Sequence, residues 1–321
     1  MQCLWLENQQ LTIREVPVPQ PAAGDALVRV RLAGVCGTDL ALLSGARPYC
    51  GIPGHEFVGE VMSAPTDRHW EGRRVVGEIT IPCRDCPACA AGRTSHCAHR
   101  SVLGISNHPG VFAELITLPV DNLHTVPEGV SDDQAVFTEP LAAALRITEQ
   151  VALAPGDQVL VIGSGRLGQL IAQVLVNAGC RVHALAKYPV QRNALRERSV
   201  KLLLPEELTT VTTSFDVVVE ATGSSAGFAE ARRAVRPGGT IVLNSTFNGT
   251  AQVDLSSLVV DEITVIGSRC GPFDEALDLL ADGKVDPLPM IETTYPLQNA
   301  ALAFDHARRP ACFKVLIRPP Q

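Results

Sequence analysis

A chain of 321 residues with 46% hydrophobic side chains is long enough for two domains of ordinary size, each with its own core. Its 27 basic and 34 acidic side chains leave a net charge of −7, and no Lys or Arg run is placed to neutralise phosphates, so nucleic acid is excluded as an expected partner. No 18 apolar residues run together and the start, Met1-Gln-Cys-Leu-Trp, lacks a basic flank before an apolar core, so the chain reads as unprocessed and cytoplasmic, with no membrane partner.

Over residues 4 to about 130, short apolar runs such as 26–32 and 74–81 are punctuated by Gly and Pro and predict an irregular β-rich domain. Pro17-Val-Pro-Gln-Pro21 is a rigid loop between two of these strands. Gly34-Val-Cys-Gly-Thr-Asp39 and Gly54-His-Glu-Phe-Val-Gly59 each set metal-ligating side chains beside turn-forming glycines. Cys36 and His55 suit a catalytic zinc site that keeps a position for substrate, with Glu56 or a distant carboxylate as the third protein ligand. Taken singly, each also fits a structural role, and Thr38 and Asp39 fit a turn. Further along, Cys83-x2-Cys86-x2-Cys89-x7-Cys97 is interleaved with Pro82, Pro87 and Gly92, which turn the backbone so that four sulfurs converge. Four thiolates make a closed tetrahedral zinc site, an iron–sulfur cluster being the other thiolate-bound group. The other six cysteines are dispersed, and for most of them a buried thiol is the simpler reading.

At Thr138-Glu-Pro-Leu-Ala the pattern turns helical, with Thr138 as expected N-cap and Pro140 in the first turn. Strand-like runs at 158–163, 181–186, 216–220, 240–244 and 264–267 then alternate with helical runs at 167–178, 190–198 and 228–235. That alternation predicts an α/β domain with a doubly wound parallel sheet. A helix at 273–281 and short strands ending at 312–317 follow, and this tail is expected to return to the first domain. Within the second domain a buried strand runs into Gly163-x-Gly165-x-x-Gly168 and a helix, the context in which these glycines mark a dinucleotide site. Gly163, Ser164, Gly165, Arg166, Leu167 and Gly168 would take the pyrophosphate at the helix N-terminus. The next strand ends Ala186-Lys187-Tyr188, with no acid for the ribose hydroxyls. Ala186 removes the repulsion against a 2′-phosphate and Lys187 or Arg192 can pair with it, so NADP is expected in preference to NAD, a solvated surface lysine being the alternative reading.

The cysteine spacing, with the GxCGTD and GHExxG motifs before it, resembles the structural-zinc lobe of the medium-chain alcohol dehydrogenase family, which includes polyol, threonine and sugar dehydrogenases. The resemblance spans essentially the whole chain. It implies a GroES-like β-rich catalytic domain, residues 1–139 and 268–321 with the zinc lobe at 83–97, enclosing a Rossmann domain at 140–267 across a cofactor cleft. It also implies two Zn2+ per chain, with Cys83, Cys86, Cys89 and Cys97 holding the structural one. Cys36, His55 and Glu56 match the family's catalytic Cys and His-Glu pair, and Glu139 stands where polyol-type members carry a glutamate and others a cysteine. Either Glu56 or Glu139 would complete the catalytic zinc, the plainer reading of Glu139 being a first-turn helix acid.

By the same resemblance Thr38 hydrogen-bonds the substrate oxygen, Asp39 orients the metal ligands, and Thr222 in Glu220-Ala-Thr-Gly223 lines the cofactor cleft. One departure matters: Ala41 stands where many relatives carry a proton-relay histidine. The expected reaction is hydride transfer between a small-molecule alcohol or carbonyl, a polyol or sugar among the candidates, and NAD(P), with zinc as Lewis acid. A homodimer or homotetramer is the expected assembly. The rival readings are a zinc-independent quinone or enoyl reductase and a catalytically silent protein that binds dinucleotide and zinc. Cys36, His55 and the cysteine lobe argue against the first, and Ala41 keeps the second in play.

Overall fold

Alternating buried and half-buried side chains along Asp25–Gly34 make that segment a ten-residue strand around which the first half of the chain is organised. The computed structural model describes residues 1–208, 213–247 and 249–321. It divides into two compact units, Met1–Glu139 with Phe273–Ala281 and Asp286–Gln321, and Pro140–Pro272 with Asp282–Val285.

The first unit opens with β1 (Gln2–Glu7), β2 (Gln10–Glu15), β3 (Asp25–Gly34), α1 (Gly37–Leu43), β4 (Glu56–Ser63), β5 (Arg74–Gly77) and β6 (Thr80–Ile81). It continues through α2 (Pro87–Ala90), β7 (Ser101–Leu103), β8 (Asn107–His108), β9 (Leu115–Pro119), β10 (Leu123–Thr125) and α3 (Asp132–Ala135). The apolar run at 74–81 is therefore two strands, parted at Glu78 and Ile79. Ser131 caps α3 reciprocally with Gln134, and Thr138 does not act as a cap. Because the chain has already turned helical there, the Thr138 hydroxyl donates to the Ala135 carbonyl at 2.7 Å.

The second unit is reached along α4 (Thr138–Gln150) and alternates β11 (Gln158–Ile162), α5 (Arg166–Asn177), β12 (Arg181–Leu185), α6 (Pro189–Leu195), β13 (Lys201–Leu203) and α7 (Pro205–Leu208). Then come β14 (Phe215–Glu220), α8 (Ser225–Ala234), β15 (Val235–Leu243), α9 (Leu255–Val260) and β16 (Thr264–Gly267). Its six parallel strands lie in the order β13-β12-β11-β14-β15-β16, the doubly wound arrangement in which the chain reverses direction beside β11. Such a sheet is covered on both faces, which is why β11 and β14 read as nearly continuous apolar runs.

The tail supplies α10 (Phe273–Ala281), β17 (Ile291–Pro296), α11 (Ala300–Ala307) and β18 (Lys314–Arg318). β18 closes the first unit's sheet by pairing antiparallel with β3, Leu316 opposite Gly34, and parallel with β17. The sheet runs β10-β5-β4-β3-β18-β17, with β9 also on β3. Phe304 of α11 meets Phe112 edge-on at 5.6 Å, a pair that contributes about 0.5–1.5 kcal/mol beyond its burial. Among the described residues no helix is long and apolar enough to cross a membrane.

His124 of β10 bridges two of this unit's three chain segments. Its ring stacks on Phe273, with Nδ1 2.6 Å from Asp274 Oδ1 and Nε2 3.3 Å from Glu78 Oε1. Burial lowers the imidazole's pKa, but the two carboxylates outweigh it and the net shift is upward. The stabilisation is therefore fully present below the unfolded value of 6.5 and is lost as pH rises through the higher folded value. Melting wild type and His124→Gln between pH 5 and 9 should show a gap of about 0.2–1 kcal/mol at the acid end that closes toward the alkaline end.

Candidate active site and metal centres

The turn from β3 into α1 fixes the first set of donors. The Cys36 backbone N–H donates to Asp39 Oδ2 at 2.9 Å, which locks the first turn of α1 and leaves the Cys36 thiol half-buried at its start, 3.8 Å from Thr38 Oγ1. His55 and Glu56 lead into β4 from Gly54, whose φ of +98° disfavours any side chain and where a Cβ would strike the Phe112 ring at 2.8 Å. The glycine thus lets the His55 loop lie flat on that ring. The donor atoms of Cys36, His55 and Glu56 all lie within 4.8 Å of one another, and His55 and Glu56 are almost wholly buried.

The electrostatics of this group favour a cation. Burial depresses the His55 pKa, yet Asp39 and Cys36 pull it well above its usual value, so the surroundings are strongly negative. His55 Nδ1 and Asp39 Oδ1 stand 3.4 Å apart, too long for a good hydrogen bond, and both are buried without a hydrogen-bond partner. A metal ligated by the imidazole would draw that ring N–H onto the carboxylate, the usual orienting contact of a ligating histidine. Glu139 stands outside the compact set; burial raises its carboxyl to about 7, with His55 and Lys314 opposing the rise. Ala41 lies half-buried in α1.

One member of this region has no signal in the sequence. Lys314 of β18, 2% exposed, forms an ion pair with Glu56 Oε2, and its ammonium lies 5.5 Å from the Phe137 ring centroid. Nothing in Phe313-Lys-Val-Leu-Ile marks a buried cation; only the pairing of β18 with β3, which fixes Leu316 opposite Gly34, brings it to Glu56.

The four-cysteine lobe is more compact. Cys86 Sγ is 3.5 Å from Cys89 Sγ and 3.8 Å from Cys97 Sγ, and Cys97 Sγ is 3.4 Å from Cys83 Sγ. Zn–S bonds near 2.3 Å at tetrahedral angles require sulfurs about 3.8 Å apart, so the set fits zinc with minor adjustment. The Cys89 backbone amide is the largest cause bringing the Cys86 thiol down to about 6, which supplies a thiolate near neutral pH.

In the second unit, Gly163 (φ +101°) directly follows β11 and Gly165 caps α5. A Cβ on Gly168 would sit 1.9 Å from the Gly163 carbonyl oxygen, so strand and helix pack this closely only with glycine there. Around Gly165 the space is open. Ser164 donates to the Leu185 carbonyl at 2.8 Å and ties this turn to the end of β12, while Arg166 and Leu167 begin α5. Lys187 is exposed, its ammonium 5.5 Å from the Tyr188 ring centroid, whereas Arg192 donates to the Ala186 and Lys187 carbonyls at 3.1 Å each. Thr222 donates its backbone N–H to the buried Glu220 carboxylate at 2.7 Å, and Ser245 donates to the same group at 2.6 Å.

A cavity of about 440 Å3 in the first unit is lined by Arg47, Tyr49, Cys50, Ser106, Asn107 and His108 among others. It brings together Tyr49, Cys50 and His108 from two separate stretches of the chain. Tyr49 donates to the Ile52 carbonyl at 2.6 Å, so the wall of the cavity is continuous with the loop that delivers His55.

Residues 22–128 match the alcohol dehydrogenase GroES-like domain family, and residues 167–282 match the zinc-binding dehydrogenase family. The chain is 28% identical to L-galactonate-5-dehydrogenase of Escherichia coli (strain K12), with 93% of this chain and 92% of that protein covered. It is 30% identical to L-threonine 3-dehydrogenase of Deinococcus radiodurans, with 91% and 89% covered. The crystal structure of a Sinorhizobium meliloti 1021 protein bound to NADP is similar at a TM-score of 0.92 and 27% identity, covering 99% of each chain.

Proposed function

We propose that this chain, which belongs to the zinc-dependent medium-chain alcohol dehydrogenase family, oxidises a small hydroxy acid whose carboxylate is held by Arg47. Its general activity is that of a zinc-dependent, NAD(P)-dependent alcohol dehydrogenase with a small-molecule alcohol as substrate, and neither rival reading is favoured by its relatives. The narrower reading rests on one observation, the Arg47 guanidinium on the wall of a cavity where the hydroxyl, amide and imidazole groups of Ser106, Asn107 and His108 stand beside apolar Trp5, Ile52 and Ile105. An arginine fork matches a carboxylate, and the neighbouring polar groups suit the hydroxyls of a polyhydroxy chain. The galactonate- and threonine-acting relatives are named for substrates that carry a carboxylate. Arg47→Ala should raise KM for sugar acids and hydroxy-amino acids by about 10- to 100-fold and leave KM for neutral polyols unchanged. A uniform change across both classes, or a preference of the wild type for neutral polyols, would remove the assignment.

In this reading Cys36, His55 and Glu56 hold the catalytic zinc with Glu139 as an adjacent carboxylate, and Cys83, Cys86, Cys89 and Cys97 hold a structural one. Zinc in the first site supplies Lewis-acid polarisation of an alcohol oxygen. Thr38 hydrogen-bonds that oxygen, and Asp39 orients His55. With Ala41 offering no imidazole, the outward proton step falls to water, the cofactor ribose or another side chain. The open space at Gly165 takes the pyrophosphate against the start of α5, and Thr222 lines the dinucleotide site.

NADP in preference to NAD is part of the same reading. Ala186 presents no carboxylate at the end of β12, and Lys187 is exposed there, whereas the contacts of Arg192 with backbone carbonyls give it mainly a bracing role. Lys187→Ala should cut the NADP-over-NAD ratio of kcat/KM by about tenfold, one charge-assisted contact; equal use of both cofactors by the wild type would defeat the argument. The expected assembly, a cytoplasmic homodimer or homotetramer, is tested by sedimentation of the purified protein.

A further inference from the structure

Away from these centres, β17, α11 and the turn before β18 bring together a second set of mixed donors. The donor atoms of Glu292, His306 and Cys312 all lie within 4.8 Å of one another. Glu292 Oε2 is 3.0 Å from His306 Nε2, and its other oxygen, Oε1, accepts from the Phe313 backbone N–H at 2.7 Å. One carboxylate therefore ties the imidazole to the turn that carries Cys312. The far ring nitrogen, His306 Nδ1, meets the Tyr295 hydroxyl at 3.2 Å, which leaves Nε2 aimed at Glu292.

We propose that Glu292, His306 and Cys312 form a third metal site, which takes Zn2+ or a similar borderline transition-metal dication with water in the fourth position. The donor chemistry selects the class of ion: one thiolate, one imidazole and one carboxylate suit zinc-like ions and not calcium or magnesium, which prefer oxygen alone. The charges also close. A thiolate and a carboxylate carry two negative charges, a neutral imidazole none, and a dication balances them without further counter-ions. Bonds of about 2.0–2.3 Å would draw the three donors to within about 3–4 Å of one another, a small contraction for side chains on the rim of the sheet. Tyr295 orients the imidazole by accepting its Nδ1 proton, the role that outer groups play for ligating histidines. Cys312 is 9% exposed, near enough to the surface for an ion to reach yet shielded from bulk oxidant.

The test counts metal as a difference between proteins, so its outcome does not depend on the substrate or on how the other two sites fill. Zinc-saturated wild type, freed of excess metal, should hold one equivalent more than His306→Ala and Cys312→Ser while all three oxidise alcohol equally. Once a mild chelator has removed that extra equivalent from the zinc-loaded wild type, cobalt(II) added under reducing conditions should give a thiolate-to-cobalt charge-transfer band that Cys312→Ser lacks. Tyr295→Phe should weaken cobalt binding by about 10- to 100-fold. His306 is partly exposed, so its replacement tests the site even where Cys312→Ser folds poorly. Equal zinc in wild type and His306→Ala, or no cobalt–thiolate band in the wild type, overturns the proposal.

Discussion

Cys36→Ala is expected to lower kcat for alcohol oxidation by about a thousandfold or more and to reduce bound zinc by one equivalent per chain, with the fold intact. Polarisation of a substrate oxygen by a metal ion accounts for several kcal/mol of barrier, and each 1.4 kcal/mol is a factor of ten. Cys36 is one of three donors within 4.8 Å, and removing it leaves only an imidazole and a carboxylate already engaged by Lys314. The structural cost should be small because the first turn of α1 is fixed through the Cys36 backbone N–H and Asp39, not through the sulfur. The measurements are turnover, zinc content and thermal unfolding of variant and wild type. Unchanged turnover, or unchanged zinc content, would place the chemistry elsewhere.

The parts of this molecule that were legible in its sequence are those whose physics is local. The βαβ periodicity of the second unit, the glycine spacing after β11 and the helix at Phe273–Ala281 all follow from neighbours within a few residues. So does the cysteine cluster, since Cys83, Cys86, Cys89 and Cys97 share one loop. Thr138 departs from its expected cap role for the same local reason: a threonine before an alanine-rich run has the pattern of a cap, but α3 has already started, capped by Ser131 and Gln134. What stayed hidden depends on strand pairing between distant segments. Arg47 and His108 share a cavity wall although β4 to β7 and α2 lie between them in the chain. Glu292, His306 and Cys312 come from three elements of the tail, and Lys314 meets Glu56 only because the last strand lies beside the third.

Lys314→Met should destabilise the first unit by about 3–5 kcal/mol, although methionine keeps most of the volume and is the more hydrophobic residue. The lysine is not a surface cation that has strayed inward. It is 2% exposed, its ammonium faces the Glu56 carboxylate, and Glu56 is itself 1% exposed. In the metal-free protein, removing the cation strands that carboxylate in a low-dielectric site with its solvation gone and its counter-charge lost, which costs more than the ion pair gains over an apolar pair. The neighbouring Phe137 ring adds a desolvated cation–π contact, about 2 kcal/mol, that methionine only partly replaces. Neutralising the stranded partner should therefore restore most of the loss, and Lys314→Met with Glu56→Gln should be more stable than Lys314→Met alone. Such non-additivity distinguishes an electrostatic cost from a packing defect, because a cavity would leave the two effects to sum. Urea unfolding of the four metal-free proteins gives the coupling directly, and purely additive effects would show that Lys314 serves the core by its methylenes alone. Because Glu56 follows His55 in the chain, Lys314→Met should also loosen the metal donor set, seen as weaker retention of the catalytic zinc against a chelator while the four-cysteine site is unaffected.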